Sequence, residues 1–191
     1  GVTVSNRRVG AWELLARIGQ GSGGEVHRAR DAQGREVALK VLTLPPDASM
    51  LRRFRREMAA LRTIDDPHVV RYVDHDLEAR PPWIAMELVA GSSMAGEIRA
   101  RTGGPDARAL LWLRDLGRGL AAAHRAGIVH RDVKPGNAVV DRTRAVLIDF
   151  GLSRAETTTS HLTGSGALIG SLLYSAPEQL DGKPAGERTD V

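Results

Sequence analysis

His130-Arg131-Asp132-Val133-Lys134-Pro135-Gly136-Asn137 packs an acid, cations, an amide and two backbone-restricting residues into one short stretch. Largely apolar runs flank it, Ala121 to Val129 before and Ala138 to Val140 after. A polar cluster between apolar elements reads as a loop, and loops held on rigid scaffolds carry chemistry. The Asp can accept a proton, Lys134 can neutralise a phosphate, and Asn137 can hold a hard cation through its amide oxygen. Phosphoryl transfer needs such groups, because that reaction is mostly positioning and charge neutralisation. An isolated Arg-Asp pair is more often a charged surface turn, so the reading depends on distant partners.

Bulk composition narrows what this loop can serve. The chain has 191 residues, enough for one domain built as one or two lobes, with 42% hydrophobic and 26% charged residues as in ordinary soluble proteins. It has no Cys, which excludes disulfides and thiolate metal sites and fits a reducing compartment. Its apolar runs are too short to span a bilayer, and Gly1 to Gly10 lacks the apolar core of a signal peptide. The net charge is +4 and the isoelectric point about 10.1, but the basic residues are scattered apart from Arg52 to Arg56. Only 4% of residues are aromatic, so stacking platforms for bases are scarce and no nucleic-acid partner is expected. Lys occurs only at positions 40, 134 and 183 among 27 basic residues, a bias that suggests a GC-rich genome. A Lys retained in such a chain calls for a reason, and a compact point charge at a phosphate is one.

Upstream, Trp12 to Ile18 alternates loosely and predicts a strand, followed by Gly19-Gln20-Gly21-Ser22-Gly23-Gly24-Glu25-Val26. Glu25 to Ala29 and Glu36 to Leu42 predict two more strands, joined by a turn at Asp31 to Gly34. Glycines between antiparallel strands let backbone N–H groups approach phosphate oxygens without a Cβ in the way. Dinucleotide-binding folds share the glycine spacing at 19, 21 and 24, but they need a helix directly after the turn, and here a β-branched strand follows. A plain hairpin tip is the remaining alternative. Val37-Ala38-Leu39-Lys40 ends an apolar strand in a Lys, costly inside a protein unless paired or reaching water from an edge. Leu51, Phe54, Met58 and Leu61 predict a helix from Asp47 or Ser49 to about Thr63. Glu57 lies beside that face, paired either with neighbouring Arg residues or with Lys40. Val69 to Val73 and Trp83 to Val89 predict strands, and Ala90-Gly91-Ser92-Ser93 a hinge between two lobes. A short helix over Ser93 to Arg101 precedes a long one from Pro105-Asp106 to about Ala126, with Leu110, Leu113, Leu116, Leu120 and His124 at helical spacing and Gly127 as its stop. His124 reads as a core histidine. Ala145 to Ile148 predicts a strand ending at Asp149-Phe150-Gly151, where a carboxylate can reach an ion. Leu152 to Ser175 reads as a long loop closing at Ala176-Pro177-Glu178.

In order the chain offers G-x-G-x-x-G-x-V, V-A-L-K, a helix Glu, H-R-D-V-K-P-G-N, D-F-G and A-P-E, each in a fitting structural context. This set resembles the protein kinase family from about Trp12 to Val191, and most of all its bacterial serine/threonine members. The resemblance implies an α+β, two-lobed fold: a small antiparallel β-sheet lobe plus a helix over residues 1–90, and an incomplete, mainly α-helical large lobe over residues 91–191. It implies transfer of the ATP γ-phosphate to Ser/Thr hydroxyls of protein substrates, with Mg²⁺, or Mn²⁺ in its place. On that pattern Gly19, Gly21 and Gly24 cover the phosphates, and Lys40, paired with Glu57, holds the α and β phosphates. Ile18, Val26, Ala38 and Val139 line the nucleotide, Met86 stands at the gatekeeper position, and Glu87 and Val89 supply hinge backbone to adenine. Asp132 orients the acceptor hydroxyl and takes its proton, Lys134 steadies the transferred phosphate, and Asn137 and Asp149 bind the metal. Leu61, Tyr72, His130 and Phe150 match an apolar column joining the lobes.

Arg131 beside Asp132 implies a phosphate on the segment that follows, and the expected autophosphorylation sites are Thr163 or Ser165, with a homodimer as the transfer partner. Gly23 stands where the family often carries a larger residue, and Ser171 where it usually carries Thr. The resemblance stops at Thr189-Asp190-Val191, where family members continue with further helices. The expectation is therefore a C-terminally truncated catalytic domain with apolar surface open beneath the catalytic loop and Glu178 deprived of its usual Arg partner. The expected location is cytoplasmic, with any membrane anchor of a longer parent lying beyond these residues. Two alternatives from other classes are a catalytically silent module that binds nucleotide or a partner, and a small-molecule phosphotransferase. The presence of Lys40, Glu57, Asp132, Asn137 and Asp149 argues against the first; the K-P pair and the A-P-E segment argue against the second.

Overall fold

β-branched and alternating residues around the Gly-rich turn build an antiparallel sheet. In the computed structural model, which describes residues 7–21, 24–43, 47–104, 106–150 and 174–191, this sheet comprises β1 (Arg8–Val9), β2 (Trp12–Gly21), β3 (Gly24–Arg30), β4 (Glu36–Leu42), β5 (Tyr72–Asp76) and β6 (Trp83–Glu87). Their order is β1-β2-β3-β4-β6-β5. The chain divides into two compact units, the first Gly1–Arg55 with Arg71–Leu88, the second Arg56–Val70 with Val89–Val191. All six strands lie in the first unit.

Successive residues of a strand point to opposite faces, and β4 obeys this rule. Val37 and Leu39 join Val9, Trp12, Leu14, Ala29, Trp83 and Ala85 in a buried cluster. Trp12 and Trp83 meet edge to face there, with ring centroids 6.2 Å apart. Ala38 and Lys40 therefore lie on the other face. The β3–β4 turn forms as its sequence predicts: Asp31 Oδ1 accepts the N–H groups of Gln33 and Arg35, and Gly34 takes φ 84°. The two-residue strand β1, pairing Arg8 with Glu13 and Val9 with Trp12, carried no sequence signal, being too short for alternation to register.

Helix α1 (Ala48–Leu61) carries Phe54, Met58 and Leu61 buried along one stripe. The strand expected over Val69 to Val73 is displaced to Tyr72–Asp76. Val69 and Val70 belong to the second unit, where Val69 makes a parallel bridge to Leu147 and the Val70 N–H donates to the Leu147 carbonyl at 2.9 Å. Both are buried, so their apolarity was legible, but it serves a different partner from the one a hairpin pattern suggests.

The second unit contains a sheet ordered β7-β8-β9, from Ser92–Ser93, Ala138–Val140 and Ala145–Leu147. Helix α2 (Met94–Ala100) follows β7, and α3 (Ala107–Arg125) starts at Asp106, whose side chain caps the Ala109 N–H at 2.9 Å. Gly127, at φ 75°, follows the end of α3. Met94, Trp112, Ala138, Val140 and Ala145 form one buried cluster there, with Leu116 against it. The leucine spacing located the helix and part of its inner stripe, Leu116 and Leu120. Leu110 and Leu113 are 64% and 59% exposed, whereas Trp112, Asp115, Gly119, Leu120, Ala122 and Ala123 are buried. Apolar residues occupy most of the circumference of α3, so periodicity alone could not choose among them. Helix α4 (Pro177–Leu180) and a 3₁₀ turn over Glu187–Asp190 complete the described chain.

Candidate active site

The candidate residues are distributed over both units. In the first unit, pairing across the sheet brings several of them into register. Gly19 faces Val26 across β2 and β3, Val26 faces Lys40, and Ala38 faces Met86. Val26, Ala38, Lys40 and Met86 thus share the sheet face opposite the tryptophan cluster. Lys40 is only 4% exposed. An ammonium buried to this degree requires anionic company, which suits a phosphate-binding role better than an edge Lys reaching water. Ile18, on the same hairpin, is half exposed, and Glu87 donates its backbone N–H to the Arg71 carbonyl at 2.8 Å.

The Gly-rich hairpin needs its glycines for different reasons. A Cβ on Gly24 would lie 2.0 Å from the Val41 carbonyl oxygen, at φ 147°, so only glycine fits against β4. A Cβ on Gly19 would meet nothing closer than Val26 at 3.6 Å, an ordinary contact that leaves its backbone open to approach. Gly21 pairs with Gly24 at the end of the hairpin.

In the second unit, Asp132, Lys134 and Asn137 converge. Lys134 Nζ lies 2.9 Å from Asp132 Oδ2, and Asn137 Nδ2 donates to both Asp132 Oδ2 and the Asp132 carbonyl at 2.8 Å. The 3₁₀ turn Pro135–Asn137 sets this up, with Pro at its first position and the Asn137 N–H bonded to the Lys134 carbonyl. With its amide protons directed at Asp132, Asn137 presents its carbonyl oxygen as the atom left for a further partner. The Asn137 backbone carbonyl accepts from Ile148 N at 3.0 Å, which ties the turn to the residue before Asp149.

Two non-glycine residues among those described have positive φ, Arg131 at 67° and Asp149 at 54°. Each costs about 1–2 kcal/mol and persists only where the surroundings over-determine it. Around Arg131 they do. Asp190, 5% exposed, accepts the N–H groups of His130 and Arg131, both at 2.7 Å, and lies 2.8 Å from His124 Nε2. Gln179 Nε2 donates to the Arg131 carbonyl at 2.8 Å. Arg131 Nη1 lies 3.4 Å from Glu57 Oε1, a pair that no sequence signal announced.

His130 is fully buried and stacks on Phe150, with ring centroids 4.6 Å apart. Desolvation holds its pKa below the ordinary histidine value, against the opposing pull of its bond to Ile148 and of Asp190, Asp149 and Asp132. The neutral ring has one N–H. Nε2 lies 3.0 Å from the Ile148 carbonyl, which can only accept, so the proton sits on Nε2 and Nδ1 accepts the Asp132 N–H at 3.3 Å. His124, largely buried, is satisfied as a core histidine would be, by its contact with Asp190. In place of an Arg, Glu178 meets the Thr189 hydroxyl, which donates to it at 2.6 Å and, as the largest influence, holds its carboxyl below the usual range.

Asp115, fully buried on α3, accepts the Ala145 N–H at 3.2 Å and pairs with Arg114 at 2.8 Å. Its signal lay in the sequence, a charge three residues after Trp112 and four before Gly119 on one helical stripe. Val139 pairs with Ser93 and Val146 within the β7-β8-β9 sheet, and Gly91, at φ 133°, would place a Cβ 2.5 Å from the Val140 carbonyl. Thr163, Ser165 and Ser171 lie outside the described residues.

A protein kinase domain family model matches residues 12–191. The chain belongs to the protein kinase family. Among curated kinases, it is 40% identical over 189 residues to a probable serine/threonine-protein kinase, PkwA, of Thermomonospora curvata. It is 39% identical over 188 residues to the DNA damage-responsive serine/threonine-protein kinase RqkA of Deinococcus radiodurans, and 37% identical over 188 residues to the serine/threonine-protein kinase PknB of Mycobacterium leprae. These alignments cover 96%, 95% and 94% of this chain but 25%, 28% and 30% of the relatives, so the chain spans under a third of their length. The crystal structure of the Mycobacterium tuberculosis PknI kinase domain matches all of this chain with a TM-score of 0.74 at 26% identity, over 73% of that chain. The kinase fold, an antiparallel-sheet lobe with helices and part of a large lobe, is thereby established. No helix among the described residues is long and apolar enough to cross a membrane.

Proposed function

We propose that this kinase transfers the γ-phosphate of ATP to Ser or Thr hydroxyls of protein substrates, with Asp132 as the proton acceptor. The observation that carries this is the convergence of Lys134 and Asn137 on Asp132, at 2.9 and 2.8 Å. In the step so proposed, the acceptor oxygen forms a bond to the γ-phosphorus, the bond from that phosphorus to the β–γ bridging oxygen breaks, ADP departs, and the hydroxyl proton passes to Asp132. Lys134 balances the charge of the Asp132 carboxylate and stands where it can neutralise charge on the moving phosphoryl group. Lys40 serves the α and β phosphates, and the apolar face of Val26, Ala38 and Met86 serves adenine, with the Glu87 and Val89 backbone alongside.

The donor set fits a small hard cation. The Asn137 amide oxygen and the Asp149 carboxylate are oxygen ligands of the kind Mg²⁺ takes, one or two from protein and the rest from phosphates and water. When bound, Mg²⁺, or Mn²⁺ in its place, neutralises phosphate charge. Autophosphorylation between two copies at Thr163 or Ser165 belongs to the same reading, as does a cytoplasmic location of this domain. The test is incubation with γ-labelled ATP, Mg²⁺ and a generic basic protein, alongside Asp132→Asn. Label should appear on Ser or Thr and fall by about 10²–10⁴-fold in the variant. Equal labelling by both proteins would remove Asp132 from this role.

A further inference from the structure

Gln179 stands on α4, directly after the Ala176-Pro177-Glu178 stretch, and both ends of its amide are used. Oε1 accepts the Ala176 N–H at 3.1 Å, and Nε2 donates to the Arg131 carbonyl at 2.8 Å, 48 residues away in sequence. A carbonyl can only accept and an N–H can only donate, so these two contacts determine the orientation of the amide. The second contact falls on a residue at φ 67°, whose N–H is held at 2.7 Å by Asp190. Asp190 and Gln179 therefore grip the N–H and the carbonyl of the one left-handed residue that precedes Asp132. The Arg131 carbonyl and the Asp132 N–H form a single peptide plane, and rotating that plane swings the Asp132 carboxylate relative to Lys134 and Asn137.

We propose that Gln179 is a positioning residue for the reaction: its Nε2–H bond to the Arg131 carbonyl fixes the peptide plane from which the Asp132 carboxylate projects. The inference rests on the proposed role of Asp132 and extends it to the segment following A-P-E. The state of α4 becomes a determinant of the aim of Asp132, since α4 and the catalytic loop share this side chain. Nothing in the sequence pattern distinguishes Gln179 from a surface helix residue. Only the tertiary contact does.

Gln179→Glu keeps the size of the side chain and an acceptor for the Ala176 N–H, but turns a carboxylate oxygen toward the Arg131 carbonyl. Gln179→Met keeps the length and removes both bonds. In the protein assayed with Mg-ATP and a Ser/Thr acceptor, kcat should fall by about tenfold or more in Q179E, as expected when a reacting group is misdirected. KM for ATP should stay within about twofold, because no ground-state contact to nucleotide is lost. Amide exchange at Asp132 should accelerate in the same variant. A kcat within about twofold of the unaltered protein in both variants, or a loss confined to KM for the acceptor, would overturn the proposal. If Q179E does not fold, Q179M is read by the same criteria. If the unaltered protein transfers no phosphate at all, the proposed function is what fails. Exchange at Asp132 in Q179E and Q179M then decides this inference, and unchanged exchange rejects it.

Discussion

Asp190→Ala tests how the catalytic loop is held. The Asp190 carboxylate accepts the His130 and Arg131 N–H groups, both at 2.7 Å, and contacts His124 Nε2 at 2.8 Å. Hydrogen bonds to a charged acceptor contribute about 1.5–3 kcal/mol each, and a buried N–H left without a partner costs about 1–3 kcal/mol. His130 is buried and Arg131 partly so, so water could satisfy at most one of the two orphaned donors. Losing both backbone bonds should therefore destabilise the fold by about 3–5 kcal/mol, with the left-handed conformation of Arg131 no longer held at its N–H. That is a large part of the roughly 5–15 kcal/mol that holds a typical domain together. Urea unfolding of the wild type, D190A and His124→Ala measures it. H124A removes one contact of the three, at a side chain that is 14% exposed, and should cost about 1 kcal/mol. A D190A loss below about 1 kcal/mol, or one matched by H124A, would refute the view that Asp190 acts through the backbone of the loop.

Gly117 and Gly119 lie two residues apart on α3 and should respond to alanine with opposite signs. A Cβ at 117 meets nothing within 4 Å, so Gly117→Ala should stabilise by about 0.5–1 kcal/mol through helix propensity, read as a rise in melting temperature. A Cβ at 119 would lie 2.6 Å from the His68 carbonyl, so Gly119→Ala should lower the melting temperature, and a rise would show that the loop at His68 yields freely. Glu178 makes stability respond to acid. Its folded carboxyl lies below the ordinary 4.5, first through the Thr189 hydroxyl, so the stability it contributes is present above pH 4.5 and lost as pH falls through the lower folded value. Unfolding curves of wild type and Glu178→Gln, measured from neutral pH downward, should converge on the acid side; curves that stay parallel would remove this bond from the acid response.

Much of the kinase fold was legible because it rests on local rules. Alternation placed β3, β4 and β6, the Asp31 to Gly34 turn joined two of them, and apolar spacing located α1 and α3. The candidate site was legible for a related reason. Phosphoryl transfer requires particular groups, an acid, a small cation and oxygen ligands, and Asp132, Lys134 and Asn137 are residues of those kinds within six positions of one loop. What sequence reasoning missed depends on contacts between distant segments. Val69 and Val70 read as strand residues, but Leu147 determines how they pair. Leu110 and Leu113 keep helical spacing with Leu116 and Leu120 but are exposed, and the stripe that packs contains Asp115 and Gly119.

The sequence by itself determined the class of chemistry and the elements that present it, because residue type, spacing and backbone preference are properties of short segments. Tertiary structure alone decided how the loop is aimed. Asp190 and Gln179 lie 59 and 48 residues beyond Arg131, and at the left-handed turn of Arg131 those two side chains hold its N–H and its carbonyl. A strained backbone conformation has no signature in the residues that adopt it. It becomes stable only when a folded chain brings donors and acceptors to both sides of it.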